Sequence, residues 1–303
     1  MTMSLTEILT LTDHGPDTFV AAGPRYPWGG LYGGQIVAQA LLAAADSVPE
    51  ALRVHSLRAY FIRRGDHEEP VRYEIDRIRD GRSFATRRVV ARQAIGAILN
   101  LEASFQRPEP SVDLQAGPAW DDEVAALPRP DQLQVTSWTP VFERATVPDP
   151  PVRQLFEGSS LPHGRSTAWL RTTAPVPGPG VEAADLDAPS LLLHFAALAF
   201  MSDDMPTDAV VRAHPVGREP EETRHTHLFA ASLDHTIWFH RPVRADRWQL
   251  HDVICRSFVA GRGLVVGQVH DEHGVLGATI AQEVLLRDRN MAHDGSGATD
   301  RGR

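Results

Sequence analysis

The sequence predicts an α+β protein built from two similar halves in tandem, each an apolar helix followed by a run of antiparallel strands. Three observations carry that expectation. Gln35–Ala45 is Ala- and Leu-rich with few polar residues for its length, the mark of a buried helix. Pro189–Ser202 is a second stretch of the same kind. Each precedes strand-like segments with no helical pattern between them, which favours consecutive antiparallel strands over an alternating parallel sheet.

The elements follow in order. Residues 5–22 read as a short helix and then a strand-like Thr18–Ala22. A glycine-rich turn, Gly29-Gly30-Leu31-Tyr32-Gly33-Gly34, opens the first apolar helix. Glycines there leave backbone N–H groups open to an anion or a carbonyl oxygen, so Gly33, Gly34 and Gln35 are candidate substrate-binding positions. The spacing is not G-x-G-x-x-G and a proline-containing loop precedes it, which excludes a dinucleotide fingerprint. Leu52–Arg63 then reads as a strand, and Arg72–Arg79 alternates with period two before Asp80-Gly81 turns into Ser83–Gln93. Ile98–Phe105 closes the set.

Residues 107–132, with Arg-Pro-Glu-Pro and Leu-Pro-Arg-Pro, mark a linker between a first domain at 1–106 and a second at 133–287. Regular structure resumes near Gln134–Arg144 and Ser166–Thr173, with a second proline-rich loop at 174–187. The second apolar helix ends at Asp203-Asp204, and a loop is expected from there to strands near 228–241, 247–257, 262–270 and 275–286. Residues 288–303, rich in Gly, Asp and Arg, are expected to be a disordered tail.

The halves also share residues. Tyr60-Phe61 and Arg63 correspond to Trp238-Phe239 and Arg241 at an offset of 239 − 61 = 178. Gly81-Arg82 corresponds to Gly261-Arg262 at 261 − 81 = 180, and Ala103-Ser104-Phe105 falls where Ala281-Gln282-Glu283 does. Two offsets this close over so long a separation favour a duplicated unit.

Composition narrows the chemistry. Lys+Arg 30 against Asp+Glu 39 gives a net charge of −9 over 303 residues, which argues against a nucleic-acid footprint. Every basic residue is Arg, so lysine Schiff-base and P-loop lysine mechanisms are excluded. The one cysteine, Cys255, rules out an intrachain disulfide. No signal peptide, membrane span or retention address is expected, and the cytoplasm is the default location. His225-Thr226-His227 has metal-like spacing, but Glu222 and Arg224 beside it make an exposed loop the better reading; no metal and no cofactor are expected.

Several runs together resemble the acyl-CoA thioesterase II family: Tyr32-Gly33-Gly34-Gln35-Ile36-Val37, His55–Phe61, Asp80–Arg88, and Leu233–Pro242. The resemblance implies a double hotdog, two tandem antiparallel sheets each wrapped around a central helix. It implies hydrolysis of an acyl-CoA to free acid and CoA by a water that an Asp, a Ser or Thr, and a Gln of the second half hold in place. Matched position by position, these are Asp203 after Ser202, Ser232 two positions before Asp234-His235, and Gln282 before Glu283. Asp204 competes with Asp203 for the first role.

Residue chemistry is compatible. A shielded carboxylate near a helix end has a raised pKa and can act as base. Ser and Gln each hold a water by donating and accepting. Gln282 lies in the apolar run Ala278–Leu286, and a buried amide left unpaired costs about 1–3 kcal/mol, so it needs partners. Direct attack by Ser232 ranks lower because no G-x-S-x-G elbow exists. A hotdog hydratase or dehydratase using Asp234-His235 is a second reading, weakened because adjacent strand residues face opposite ways. A non-catalytic acyl-CoA-binding protein is a third. His235 and His240 are expected to bond neighbouring strands, and the chain is expected to form a homo-oligomer.

Overall fold

In the computed structural model the structure describes residues 3–115, 126–148, 164–218 and 228–288. The first half begins with helix α1 (Leu5–Leu9) and the short strands β1 (Thr12–Asp13) and β2 (Thr18–Ala21). Helix α2 (Gly33–Asp46) follows, and then the long strands β3 (Arg53–Phe61), β4 (Val71–Asp80), β5 (Phe84–Gln93) and β6 (Gly96–Gln106). After the linker come β7 (Val135–Thr136), β8 (Phe142–Thr146) and β9 (Arg165–Thr172). Helices α3 (Ala188–Ser202) and α4 (Met205–Ala213) lead into β10 (Leu228–Ser232), β11 (Asp234–Phe239), β12 (Gln249–Val259), β13 (Arg262–His270) and β14 (Leu276–Asp288).

All strands join one antiparallel sheet in the order β1-β2-β4-β5-β6-β3-β11-β14-β13-β12-β9-β8-β7, with β10 also on β14. Read outward from the centre, where β3 of the first half pairs with β11 of the second, the two sides follow the same order, with β7 one strand further on the second side. Arg58 lies opposite Thr236 in that pair, and 236 − 58 = 178, the offset of the sequence repeat. A duplicated unit related by a two-fold axis through the seam produces this register, and with it the double-hotdog arrangement.

The helices are buried because little of their surface is polar. Gly34 to Leu41 of α2 are all buried, and α2 packs on α3 as well as on β3 to β6. The two polar residues of that stretch are satisfied: Tyr26 donates to Gln35 Oε1 at 2.7 Å, and Tyr73 donates to Gln39 Oε1 at 2.6 Å. One apolar cluster runs through both halves, from Ile36 and Val37 through Leu57 and Leu101 to Phe200, Ile237 and Ile280.

The structure departs from the sequence expectation in three places. Residues after Asp204 form α4 and not a loop. Pro206 stands in its first turn, where no backbone N–H is needed, and Met205, Ala209, Val210 and Ala213 bury one stripe of it against β9 and β12. The segment 229–241 is not one strand but two, broken at Leu233. Gln134–Arg144 likewise divides into β7 and the start of β8. In the linker, the described residues hold only a 3-10 turn at Pro130–Gln132 as regular structure. The metal-like pair His225 and His227, and the tail beyond Asp288, lie outside the described residues.

Candidate active site

Asp203 caps the C-terminus of α3, and Asp204 follows as the N-cap of α4. With no spacer between the two helices, the neighbouring carboxylates leave in different directions. Asp204 accepts from Trp138 Nε1 at 2.6 Å and pairs with Arg144 at 2.8 Å, and Arg144 in turn holds Asp208 at 2.5 Å. Asp203 turns to the sheet. Its Oδ1 accepts from Ser232 Oγ at 3.0 Å and from Gln282 Nε2 at 2.9 Å, and Gln282 Nε2 also donates to Ser232 Oγ at 2.7 Å. The three residues singled out in the sequence therefore meet in one cluster, which contains Asp203 and not Asp204.

The opening of α2 completes it. The backbone N–H of Gly34 faces the Asp203 carboxylate and favours its ionised form. The anion at the positive end of this helix is thus a side chain of the protein's other half. A side chain at Gly33 would put its Cβ 2.5 Å from Asp203 Oδ2, and one at Gly34 would meet the Phe200 carbonyl at 2.2 Å. Both glycines are there because the helix start presses against the carboxylate and against α3. Gln35 is different: its side chain belongs to the Tyr26–Gln39 network and not to this cluster.

Burial pushes the Asp203 carboxyl above the ordinary carboxylate range; the donors Gln282, Ser232 and Gly34 pull it back in part. His235 is the residue that sequence reasoning set aside. Its Nδ1 lies 2.5 Å from Gln282 Oε1 and its Nε2 lies 2.8 Å from Ser202 Oγ. In an unbroken strand, Ser232 and His235 would face opposite sides, being three apart. Between the pairs Ser232↔Val284 and Thr236↔Ala281, this strand advances 236 − 232 = 4 residues and its partner 284 − 281 = 3. The extra residue is a β-bulge at the Leu233 break, and it turns Ser232 and His235 to the same side. No composition signal at Leu233 announces it.

Asp234 takes no part. It accepts from Glu283 N at 2.7 Å and from Arg58 Nη2 at 3.1 Å. Several arginines that a CoA phosphate could meet are paired within the protein: Arg63 with Ala97 O, Arg241 with Asp113, Arg244 with Asp246 and Arg262 with Glu283. Among the described residues no group of three or more His, Cys, Asp or Glu is placed to hold a metal ion.

The first half has the same frame without the same chemistry. Ser47, and not an acid, caps the C-terminus of α2, and Ser104 stands where Gln282 does, since 282 − 104 = 178. Arg87, completely buried, fills the place, donating to Ser47 Oγ at 2.7 Å and to Ser47 O at 2.9 Å and reaching Asp80. His55, which the 178 offset aligns with Leu233 and not with His235, bonds Ser104 at 2.8 Å in a half-open setting.

Comparison with known proteins agrees with this arrangement. The signature of the acyl-CoA thioesterase N-terminal domain matches residues 22–106, and that of the C-terminal domain matches residues 121–286. Human acyl-coenzyme A thioesterase 8 is 33% identical over 293 residues, covering 93% of this chain and 88% of that protein. Acyl-CoA thioesterase 2 of Haemophilus influenzae is 32% identical over 271 residues, covering 85% and 87%. Among solved structures, an acyl-CoA thioesterase II from Mycobacterium marinum superposes with a TM-score of 0.71 at 30% identity, over 98% of this chain and 99% of that one. A hot dog fold protein from Alicyclobacillus acidocaldarius superposes at 0.69 with 18% identity and shows the fold alone. On the strength of both domain signatures and of relatives matched nearly end to end, the chain belongs to the acyl-CoA thioesterase family and has its double-hotdog fold.

Proposed function

We propose that this protein hydrolyses acyl-CoA thioesters to free acid and CoA, with a water held by Asp203, Ser232 and Gln282 as the nucleophile. The observation that carries the proposal is the buried Asp203 carboxylate with a hydroxyl and a carboxamide on the same oxygen. A carboxyl raised by burial is a better proton acceptor than an ordinary one, and proton transfer to it frees the water oxygen to attack the thioester carbon. Ser232 and Gln282 fix where that water sits. As Asp203 takes the proton its own charge is lost, and the positive end of α2 that faced the carboxylate favours the negative charge gathering on the carbonyl oxygen. The C–S bond then breaks, and the CoA thiolate takes the proton held by Asp203 as it leaves, which restores the carboxylate. In this reading residues 1–106 form the hotdog that lends α2, and residues 133–287 form the hotdog that supplies the reacting side chains.

The test is CoA release from acyl-CoAs of short, medium, long and branched chain, followed with a thiol reagent. Turnover on at least one, lost in both Asp203→Ala and Gln282→Ala, is the expected result. Activity surviving in both variants removes the assignment. A hydroxylamine-sensitive acyl group on Ser232 replaces the water mechanism with a covalent one.

A further inference from the structure

We infer that His235 and Ser202 are positioning residues that hold the Gln282 carboxamide with its nitrogen toward Asp203 and Ser232; this rests on the hydrolase reading above. All three are completely or almost completely buried: Ser202 and His235 at 0% and Gln282 at 1% exposure. Their hydrogens can be assigned from what each atom is able to do. Gln282 Nε2 donates both hydrogens, to Asp203 Oδ1 and to Ser232 Oγ. Gln282 Oε1 can only accept, so His235 Nδ1 at 2.5 Å carries a hydrogen. Burial lowers the pKa of the ring, which therefore has a single hydrogen, leaving Nε2 bare to accept from Ser202 Oγ at 2.8 Å. The resulting chain, Ser202 to His235 to Gln282 to Asp203, gives each of these hydrogens an acceptor; the Ser202 hydroxyl also lies 3.3 Å from Ala199 O, a longer contact than the 2.8 Å to His235.

Two consequences follow. With the imidazole anchoring Oε1, the amide cannot turn its carbonyl to the carboxylate, where two acceptors would face each other. Donation into Oε1 also polarises the amide and strengthens the Nε2 donors. The chain exists only because of the bulge at Leu233, which puts His235 on the side of Ser232.

Three variants and a control test this. His235→Leu removes the donor; His235→Asn keeps an amide N–H where Nδ1 stands; Ser202→Ala removes the hydroxyl behind the ring. His55→Leu changes the histidine that bonds Ser104 in the first half. His235→Leu is expected to lower kcat about 10- to 100-fold with little change in KM, the scale on which a lost hydrogen bond behind a reacting group is felt. His235→Asn is expected to recover most of that loss, and His55→Leu to leave kcat unchanged. The pH profile adds a readout that a purely structural role does not move. Weakened donation from Gln282 lets the Asp203 carboxyl rise, so the acid limb of kcat/KM shifts upward in His235→Leu and Ser202→Ala. The other titratable group facing Asp203 stays the same: Tyr32 at the start of α2.

A folded His235→Leu enzyme with wild-type kcat overturns the inference, as does His235→Asn falling as far as His235→Leu. Should His235→Leu fail to fold, an unmoved acid limb in Ser202→Ala overturns it. Asp203→Asn separates the two layers: if it stays active, Asp203 is not the base and the water mechanism above fails, whereas an inactive Asp203→Asn beside an unaffected His235→Leu removes only the positioning role.

Discussion

Asp203 shows at a single residue what the site asks of the fold. A carboxylate closed off from water disfavours the ionised form, and the donors around it offset only part of that cost. Its folded-state pKa stands above the unfolded value, so the stability it gives is present at low pH and is lost as pH rises through the folded pKa. Asp203→Asn removes this loss while keeping an oxygen for Ser232. The variant is expected to melt at or above the wild-type temperature above pH 7, with kcat lower by about 10²- to 10⁴-fold. Thermal melts and CoA release check the two halves of that statement. The same shift places the acid limb of kcat/KM above the ordinary carboxylate range. Asp204, one residue on, is held by Arg144 and Trp138, so adjacency in sequence says nothing of which acid reaches the sheet.

Among the elements, α2 and the interrupted strand β10–β11 matter most. The first turn of α2 lies against Asp203 so closely that only glycine fits. Gly33→Ala would bring a Cβ to 2.5 Å from Oδ2 and 2.9 Å from the Phe61 ring. We expect it to displace the carboxylate and lower kcat about tenfold or more, because reacting groups tolerate little misplacement; steady-state kinetics beside a melting curve separates this from unfolding. The corresponding end of the first half does structural work. Arg87→Met leaves Ser47 and the end of α2 without their buried donor and should destabilise the protein by about 3 kcal/mol. Turnover per folded molecule should remain at the wild-type level, since distant sites act independently. Urea titration and active-enzyme kinetics measure both.

Over the whole molecule, the β3–β11 seam and the α2–α3 contact tie the halves into one sheet and one apolar cluster. The reacting and positioning side chains come from the end of α3 and from β10, β11 and β14, while the helix start that presses on Asp203 is α2 of the other half. Neither half alone builds the site. Unfolding by denaturant should therefore be a single transition, with far-UV circular dichroism and tryptophan fluorescence superimposing. Two separated transitions would show the halves to be independent.

Much of this was legible in the sequence because periodicity and repetition are local or additive. Two apolar helices, the long strands and an offset near 178 follow from residue type and spacing. The resemblance of Tyr32–Val37 and Leu233–Pro242 to acyl-CoA thioesterases II pointed to the family and to Asp203, Ser232 and Gln282. Helix α4 was hidden by Pro206, which marks a loop as readily as a first helical turn. His235 was hidden because strand alternation puts it opposite Ser232, and one extra residue at Leu233 reverses that. The sequence by itself determined the elements, the duplication and the residue types available for chemistry. Only the tertiary structure decided which acid turns inward, which histidine stands behind Gln282 and which helix faces the carboxylate. Those depend on a cap, a bulge and a contact between halves, each set by packing across distant parts of the chain.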